Sequence, residues 1–346
     1  MKKFIFLLVL ILFASGCAIS FKTKKVSDVG VYKSTDAGET WQQKVFIGMN
    51  KKNEIKIDGL TVIKLIVDPK NDNLIYLTTA GSGIYKTENG GEVWQSTGLM
   101  QGSFNDLSFD YENTNIIYTA SGGKIYKTID AGKNWNTIYT DAQADQVIND
   151  VAVDHFDSKK IYAATNKGAL IVSNDYGTTW KVQQWFNLAI SDIIIDPSDS
   201  RIIYMITPGN GIQKTTDKGA TWQVIKESLA KYQGGLNINY FHFYESNSNV
   251  IYLATDYGIL KTENRGETFE TIQTLLNFGN RIDTVAVAPA NNAIIYFTRG
   301  NKLHKSENAG LEWRTLNIPT AQSVSQIKIL KSDPKIIYLG LKKVTK

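Results

Sequence analysis

Cysteine is almost absent from this 346-residue chain, and the one copy, Cys17, excludes an internal disulfide and any thiolate metal cluster. Long apolar runs are also missing. The longest, Phe4 to Ala14, has eleven residues and is too short to span a bilayer. Arginine is scarce, with Arg201, Arg265, Arg281, Arg299 and Arg314 the full set. The three histidines, His155, His242 and His304, are far apart and have no metal-type spacing. There is no Gly-x-Ser-x-Gly elbow, phosphate loop or dinucleotide fingerprint. The net charge of +5 is small, and no basic run interleaves with aromatics, so nucleic acid is not an expected partner. No cofactor and no metal site are expected.

What is present begins with an export pattern. Lys2 and Lys3 precede the apolar run, which ends in Ala14-Ser15-Gly16-Cys17. This resembles the lipobox of bacterial lipoproteins, although Ala14 stands where leucine is usual. The resemblance implies a signal peptide over 1–16, lipidation of Cys17, and a tether over 17–28. It implies a membrane-anchored protein, at the outer membrane in a Gram-negative cell because Ala18 is not the retention residue Asp, and otherwise at the cell surface. The competing reading is an ordinary signal with a bystander cysteine.

From residue 29 onward the chain is repetitive. A Ser/Thr-x-Asp/Asn-x-Gly-x-x-Trp/Phe pattern occurs seven times, with glycines at 38, 91, 132, 177, 219, 266 and 310. The interval of 41–53 residues suits one propeller blade per copy. Each copy lies between short β-type runs, as the turn of a hairpin would. Its Asp or Asn can fold back onto backbone N–H groups, its Gly permits positive φ, and its aromatic gives the hairpin bulk to bury. Between copies come an apolar strand, a polar turn and an Ile-Tyr strand, as in Leu65–Pro69 followed by Ile75-Tyr76. A blade therefore reads a, b, turn-linked c and d. The chain enters on a c strand at Val29–Tyr32 and leaves on a b strand at Ile336–Leu339. Joined, the ends complete one blade. The expected fold is all-β: a seven-bladed propeller of four-stranded blades over 29–346, closed by N-terminal c and d strands with C-terminal a and b strands.

The seven motifs resemble the Asp-box, or bacterial neuraminidase repeat, whose relatives include sialidases, xyloglucan-cleaving glycosidases, sortilin-type ectodomains and the photosystem II stability and assembly-factor group. Length, blade number and the Asp-Pro…Ile-Ile-Tyr spacers are most similar to the last group. The resemblance implies that Asp36, Asn89, Asp130, Asp175, Asp217, Asn264 and Asn308 build turns on the outer blade and are neither metal ligands nor catalytic acids.

A sialidase-like site would need an arginine triad, since guanidinium grips carboxylates bidentately. Arg265 and Arg314 fall in or beside the turn motifs, and Arg201 lies in an a–b turn on the same face. Only Arg281 and Arg299 are expected to reach the opposite face. Other glycosidases need two carboxylates across the bond, and Asp106, Asp141, Asp145, Asp150, Asp192 and Asp283 lie near that face. Aligned a strands place Lys64, Asp106, Asp150, Asp192, Tyr240, Thr284 and Gln326 in one slot, with Ile63, Asn105, Asn149, Ser191, Asn239, Asp283 and Ser325 just before it. The polar collar expected at one channel mouth is Asn105, Asp106, Asn149, Asp150, Asp192 and Asp283. It either binds a cation, sugar or basic peptide, or caps strand starts and joins neighbouring blades. Loops at that mouth carry Phe104, Trp185, Phe186, Tyr232 and Phe278, expected to be exposed and, with Arg281 and Arg299, to anchor a partner. The long connection from Val45 to Val62, with Lys51, Lys52, Asn53 and Glu54, reads as a flap. The expected function is non-enzymatic binding of a protein partner or help in assembling an envelope complex. The alternative is a carbohydrate-active protein, glycosidase or lectin-like, with a glycan at the same mouth.

Overall fold

The computed structural model describes residues 27–51, 53–276 and 279–344, so Cys17, Lys52 and Phe278 lie outside the described residues. Seven four-stranded antiparallel sheets form the blades of a β-propeller, each running a, b, c, d from the channel outward. The first six start at Val62, Leu107, Ile148, Asp192, Ile238 and Thr284. The seventh is assembled from both ends of the chain: Ser323–Ile329 and Ile337–Lys342 supply a and b, while Val31–Ser34 and Gln42–Gln43 supply c and d. Val31 pairs with Gly340 and Ser34 with Ile337.

The b strands hold the core. Ile161–Thr165, Ile203–Thr207 and Ile251–Thr255 are buried throughout, as strands covered on both faces should be. The outer strands are short and mostly exposed, down to two residues in Gln42–Gln43 and Gln95–Ser96.

The seven turns share one geometry. Ser34 Oγ donates to Asp36 Oδ1 at 2.7 Å and accepts the Gly38 N–H at 2.8 Å, while Asp36 Oδ1 accepts the Thr40 N–H at 2.9 Å. The same three bonds recur from Thr87, Thr128, Ser173, Thr215, Thr262 and Ser306. The residue before each motif glycine, such as Ala37 at φ 58° or Arg265 at φ 58°, is left-handed, and so is the glycine itself. Two successive positive φ values explain why glycine is needed at the second. These bonds hold the Asp36, Asp130, Asp175 and Asp217 carboxyls down to about 2.

The b-strand tyrosines lock one blade to the next. Tyr76 Oη donates to the Ala131 carbonyl at 3.1 Å, Tyr118 to Tyr176 at 3.2 Å, Tyr162 to Lys218 at 3.4 Å, Tyr204 to Arg265 at 3.3 Å, Tyr296 to Ala37 at 3.1 Å and Tyr338 to Gly90 at 2.9 Å. In each case the acceptor is the first left-handed residue of the next blade's turn. Burial, the dominant cause, pushes these phenols up, so they remain donors. Among the described residues Tyr252, the seventh, has no such bond.

The connection from Val45 to Val62 differs from the flap read in the sequence. Phe46–Asn50 and Asn53–Lys56 pair as a hairpin. It is pinned by the buried Val45 and Ile57, and its edge carbonyl at Phe46 accepts the Trp94 N–H at 2.8 Å. Apolar anchors at both feet tie down a loop that its polar tip made look free.

Candidate functional site

The a strands bend where they reach the collar. A register shift falls between Val62 and Lys64, Ile148 and Asp150, Ile238 and Tyr240, and Val324 and Gln326. Each bulge leaves one residue unpaired and re-aims its neighbour. The unpaired residues include Asn149 and Asn239, whose amides donate to the Ile190 carbonyl at 2.8 Å and the Ile282 carbonyl at 3.0 Å in the following blade. Asn105 does the same to the Asn149 carbonyl at 3.2 Å.

The re-aimed residues meet in the channel. Lys64 Nζ makes a close ion pair with Asp106 and lies 3.5 Å from Asp192 Oδ1. Asp150 is 4% exposed; its two oxygens accept the Val151 N–H at 2.8 Å and, across the blade boundary, the Ile193 N–H at 2.9 Å. Burial, with Asp106 and Asp192 nearby and Lys64 opposing, pushes its carboxyl up to about 8. Lys64 is half-buried, but Asp106, Asp192 and Asp150 outweigh the cost of desolvation and hold its ammonium well above the ordinary range. On the other side Gln326 takes the Leu65 N–H and donates to Tyr240 Oη at 3.2 Å. The cavity at this level is about 440 Å³.

The outer acids are engaged as well. Asp283 accepts the Gly300 N–H at 2.7 Å and Arg281 Nε at 3.2 Å, and Arg281 also faces Asp256 at 3.4 Å. Asp145 pairs with Lys167, and Asp141 takes Tyr139 Oη at 2.9 Å and the Gln143 N–H at 2.8 Å. No group of three or more His, Cys, Asp or Glu among the described residues is arranged to hold a metal ion. The histidines are absorbed by packing: His155 against Tyr111 at 4.2 Å, His304 on Phe297 at 4.5 Å, and His242 accepting the Val287 N–H at 3.1 Å.

Of the loop aromatics, Trp185 is 47% exposed at the end of the outer strand Lys181–Trp185. Phe186 is half-buried and stands edge-on against Trp222 of the next blade at 5.3 Å. Tyr232 packs on Tyr257 at 5.0 Å and donates to the Phe269 carbonyl at 2.7 Å. Arg299 is exposed. Phe104 departs from its expected exposure. It is 1% exposed, edge-on to Tyr126 at 6.0 Å, because Gly102, at φ 108°, turns the loop back and leaves room for the ring.

The sequence reading placed Lys64 in the slot but did not foresee its central role as counter-ion. The signal was there: one cation in a column with three aspartates. The Ile-Tyr recurrence marks the b strands in the sequence but carries no sign of the clasps that the tyrosine hydroxyls make.

No protein-family model matches the chain. A stretch of 78 residues, 21% of the chain, is 32% identical to vacuolar protein sorting/targeting protein 10 of Talaromyces marneffei, of which it spans only 5%. Among solved structures, YCF48 from Cyanidioschyzon merolae superimposes with a TM-score of 0.63 at 16% identity, covering 81% of this chain and 95% of that one. YCF48 bound to a D1 peptide gives 0.61 at 15% identity, covering 83% and 94%. The GH74 xyloglucanase from Xanthomonas campestris gives 0.64 at 15% identity and covers 87% of this chain, which spans about half, 52%, of that enzyme. At these identities the likeness is one of fold.

Proposed function

We propose that the chain is a non-enzymatic recognition module that holds a protein partner at the collar mouth, exported and anchored through a lipid on Cys17, with its seven turns belonging to the Asp-box class. The observation that carries this reading is the position of Lys64. Its ammonium sits against Asp106 and Asp192, and Asp150 accepts two backbone N–H groups. A glycosidase needs two carboxylates free to face one bond from opposite sides. Here the carboxylates face a lysine and the backbone, an arrangement that holds a rigid mouth. The near full-length likeness to YCF48, one form of which carries a D1 peptide, supports the same reading. Trp185 is the chosen anchor, since large exposed aromatics dominate binding energies at protein interfaces.

The carbohydrate reading draws on Asp150, whose raised carboxyl would hold a proton near neutrality as a general acid must. The experiment is a crosslinked pull-down from native envelopes with the intact protein and Trp185→Ala. A discrete protein retained by the first and lost by the second supports the proposal. Recovery of glycan without a protein partner, or turnover of a xyloglucan that Asp150→Asn abolishes, overturns it in favour of the alternative.

A further inference from the structure

The opposite end of the channel is built differently. Two residues beyond the slot, the a strands carry Ile66, Ser108, Ala152, Ile194, His242, Ala286 and Lys328, a nearly uncharged ring with one cation. Below it lies a vestibule of about 340 Å³ whose apolar walls are Val67, Pro69, Tyr111, Pro197, Phe243 and Leu330, and which Asp68, Asp72, Glu245 and Lys331 also line. Lys328 lines both this vestibule and the cavity above, and Val67, Pro69 and Tyr111 are common walls, so the two spaces adjoin at its side chain.

Lys328 is half-buried, and its ammonium makes no hydrogen bond or ion pair with any described residue. The charges around it have other engagements. Glu245 faces Lys331 at 4.0 Å, and Asp72 accepts the Ser332 N–H at 3.3 Å. Asp68 is 1% exposed; its Oδ1 accepts the Lys70 N–H at 2.7 Å, and its Oδ2 is buried without a hydrogen bond. His242, pushed down to about 4 by burial and then by Lys328, is neutral at physiological pH and adds no second cation. A partly desolvated ammonium without a partner is a standing cost, which an anion would offset.

The geometry points to this vestibule as a binding site for a small monocarboxylate on an apolar or aromatic body, with Lys328 as its counter-ion. One ammonium matches one carboxylate, and the walls offer the rest of the ligand aromatic and proline surface. The volume falls within the ordinary range for small-molecule sites of roughly 300–1,000 Å³.

The probe is phenylacetate, titrated calorimetrically into the whole chain, with 2-phenylethanol and 2-phenylethylamine as neutral and cationic matches. Phenylacetate is expected to saturate and to bind about tenfold tighter than the alcohol, with the amine weakest. Lys328→Met should bring phenylacetate down to the level of the alcohol without altering the melting temperature, and Lys328→Arg should keep the preference. Trp185→Ala should leave all three affinities unchanged, so failure here is separable from failure of the partner-binding reading. No saturable phenylacetate binding, equal binding of the three, preference for the amine, or full affinity in Lys328→Met each overturns the proposal. Should Lys328→Met not fold, the order of the three ligands on the wild type and on Lys328→Arg decides.

Discussion

Tyr338 Oη lies 2.9 Å from the Gly90 carbonyl, across the boundary between the blade that closes the ring and the blade that opens it. The same carbonyl accepts Lys33 Nζ at 3.0 Å, and that ammonium stands 5.4 Å above the Tyr338 ring. Lys127 and Lys214 repeat the arrangement at the Tyr176 and Arg265 carbonyls, so it is a unit of construction.

The clasps predict a graded result within one protein. Tyr76→Phe and Tyr338→Phe should each destabilise by about 1 kcal/mol, the worth of a typical net hydrogen bond. Tyr252→Phe should change little, because no clasp is made there. Urea unfolding of the three variants checks this; equal losses at all three positions would show the hydroxyl bonds to be irrelevant.

Closure predicts a severe truncation phenotype. A chain ending at Lys331 loses the strand Ile337–Lys342 and leaves Ser323–Ile329 and Val31–Ser34 with open edges. It should lose its cooperative melting transition and aggregate, as unpaired strand edges do. Circular dichroism and light scattering on the truncated chain provide the measurement.

Removing the channel cation should give a pH-dependent loss. Lys64→Met leaves Asp106, Asp150 and Asp192 facing one another, and the expected cost at pH 7 is about 2–3 kcal/mol, below that of a fully buried pair because the site is partly hydrated. The ammonium of Lys64 is held above 10.5, the ordinary lysine value, so on the alkaline side its own titration removes no stabilisation until the pH passes that value. In the variant Asp150, already raised, loses the opposing charge of Lys64 and is pushed up further. The variant's deficit should therefore be largest where unfolded aspartates are ionised, and should shrink as pH falls towards about 4. A stability-versus-pH series on both proteins tests this; a deficit that does not vary with pH would rule out the electrostatic account.

Two blades pair the aspartate that ends strand a with a cation of the next blade's turn, and the blade of Asp68 does not. Asp154 meets Lys218 at 3.1 Å and Asp196 meets Arg265 at 3.5 Å, in both cases the first left-handed residue of the next turn. Asp68 finds Ala131 at that place, and its Oδ2 is buried without a hydrogen bond. Ala131→Lys should raise stability by roughly 0.5–1 kcal/mol, since lysine already adopts this backbone at Lys218. The gain should vanish in an Asp68→Asn background, which a double-mutant cycle would reveal.

The fold was legible because its signals repeat. A turn with fixed residues every 41–53 positions, with Ile-Tyr strands between, left little freedom in assigning blades, and the unmatched ends gave the closure. The slot containing Lys64, Asp106, Asp150 and Asp192 was legible by alignment. The bulges at Ile63, Asn149, Asn239 and Ser325 were not, because skipping one residue leaves the alternation of strands on either side almost unchanged. Phe104 misled because a large residue in an irregular loop looks exposed until the positive φ of Gly102 turns it inward. The Lys328 vestibule was invisible for a further reason: its walls come from strand ends and turns of several blades, and the lysine stands in only one of the aligned positions.

The entry of the chain into its first strand carries a mechanical implication. Asp28 is held by the Ala321 N–H at 2.9 Å, Thr320 Oγ1 at 3.0 Å and the Gln322 amide at 3.0 Å, just ahead of Val31–Ser34. A pull on the chain upstream of Ser27 is therefore shared between the bonds of Ser27 to Asp58 and Gln43 and this aspartate, which passes its part to the segment leading into Ser323–Ile329, on the far side of the same blade. The seam where the two ends meet is loaded only after that clamp gives way. Under tension, Asp28 is the strain relief of the ring.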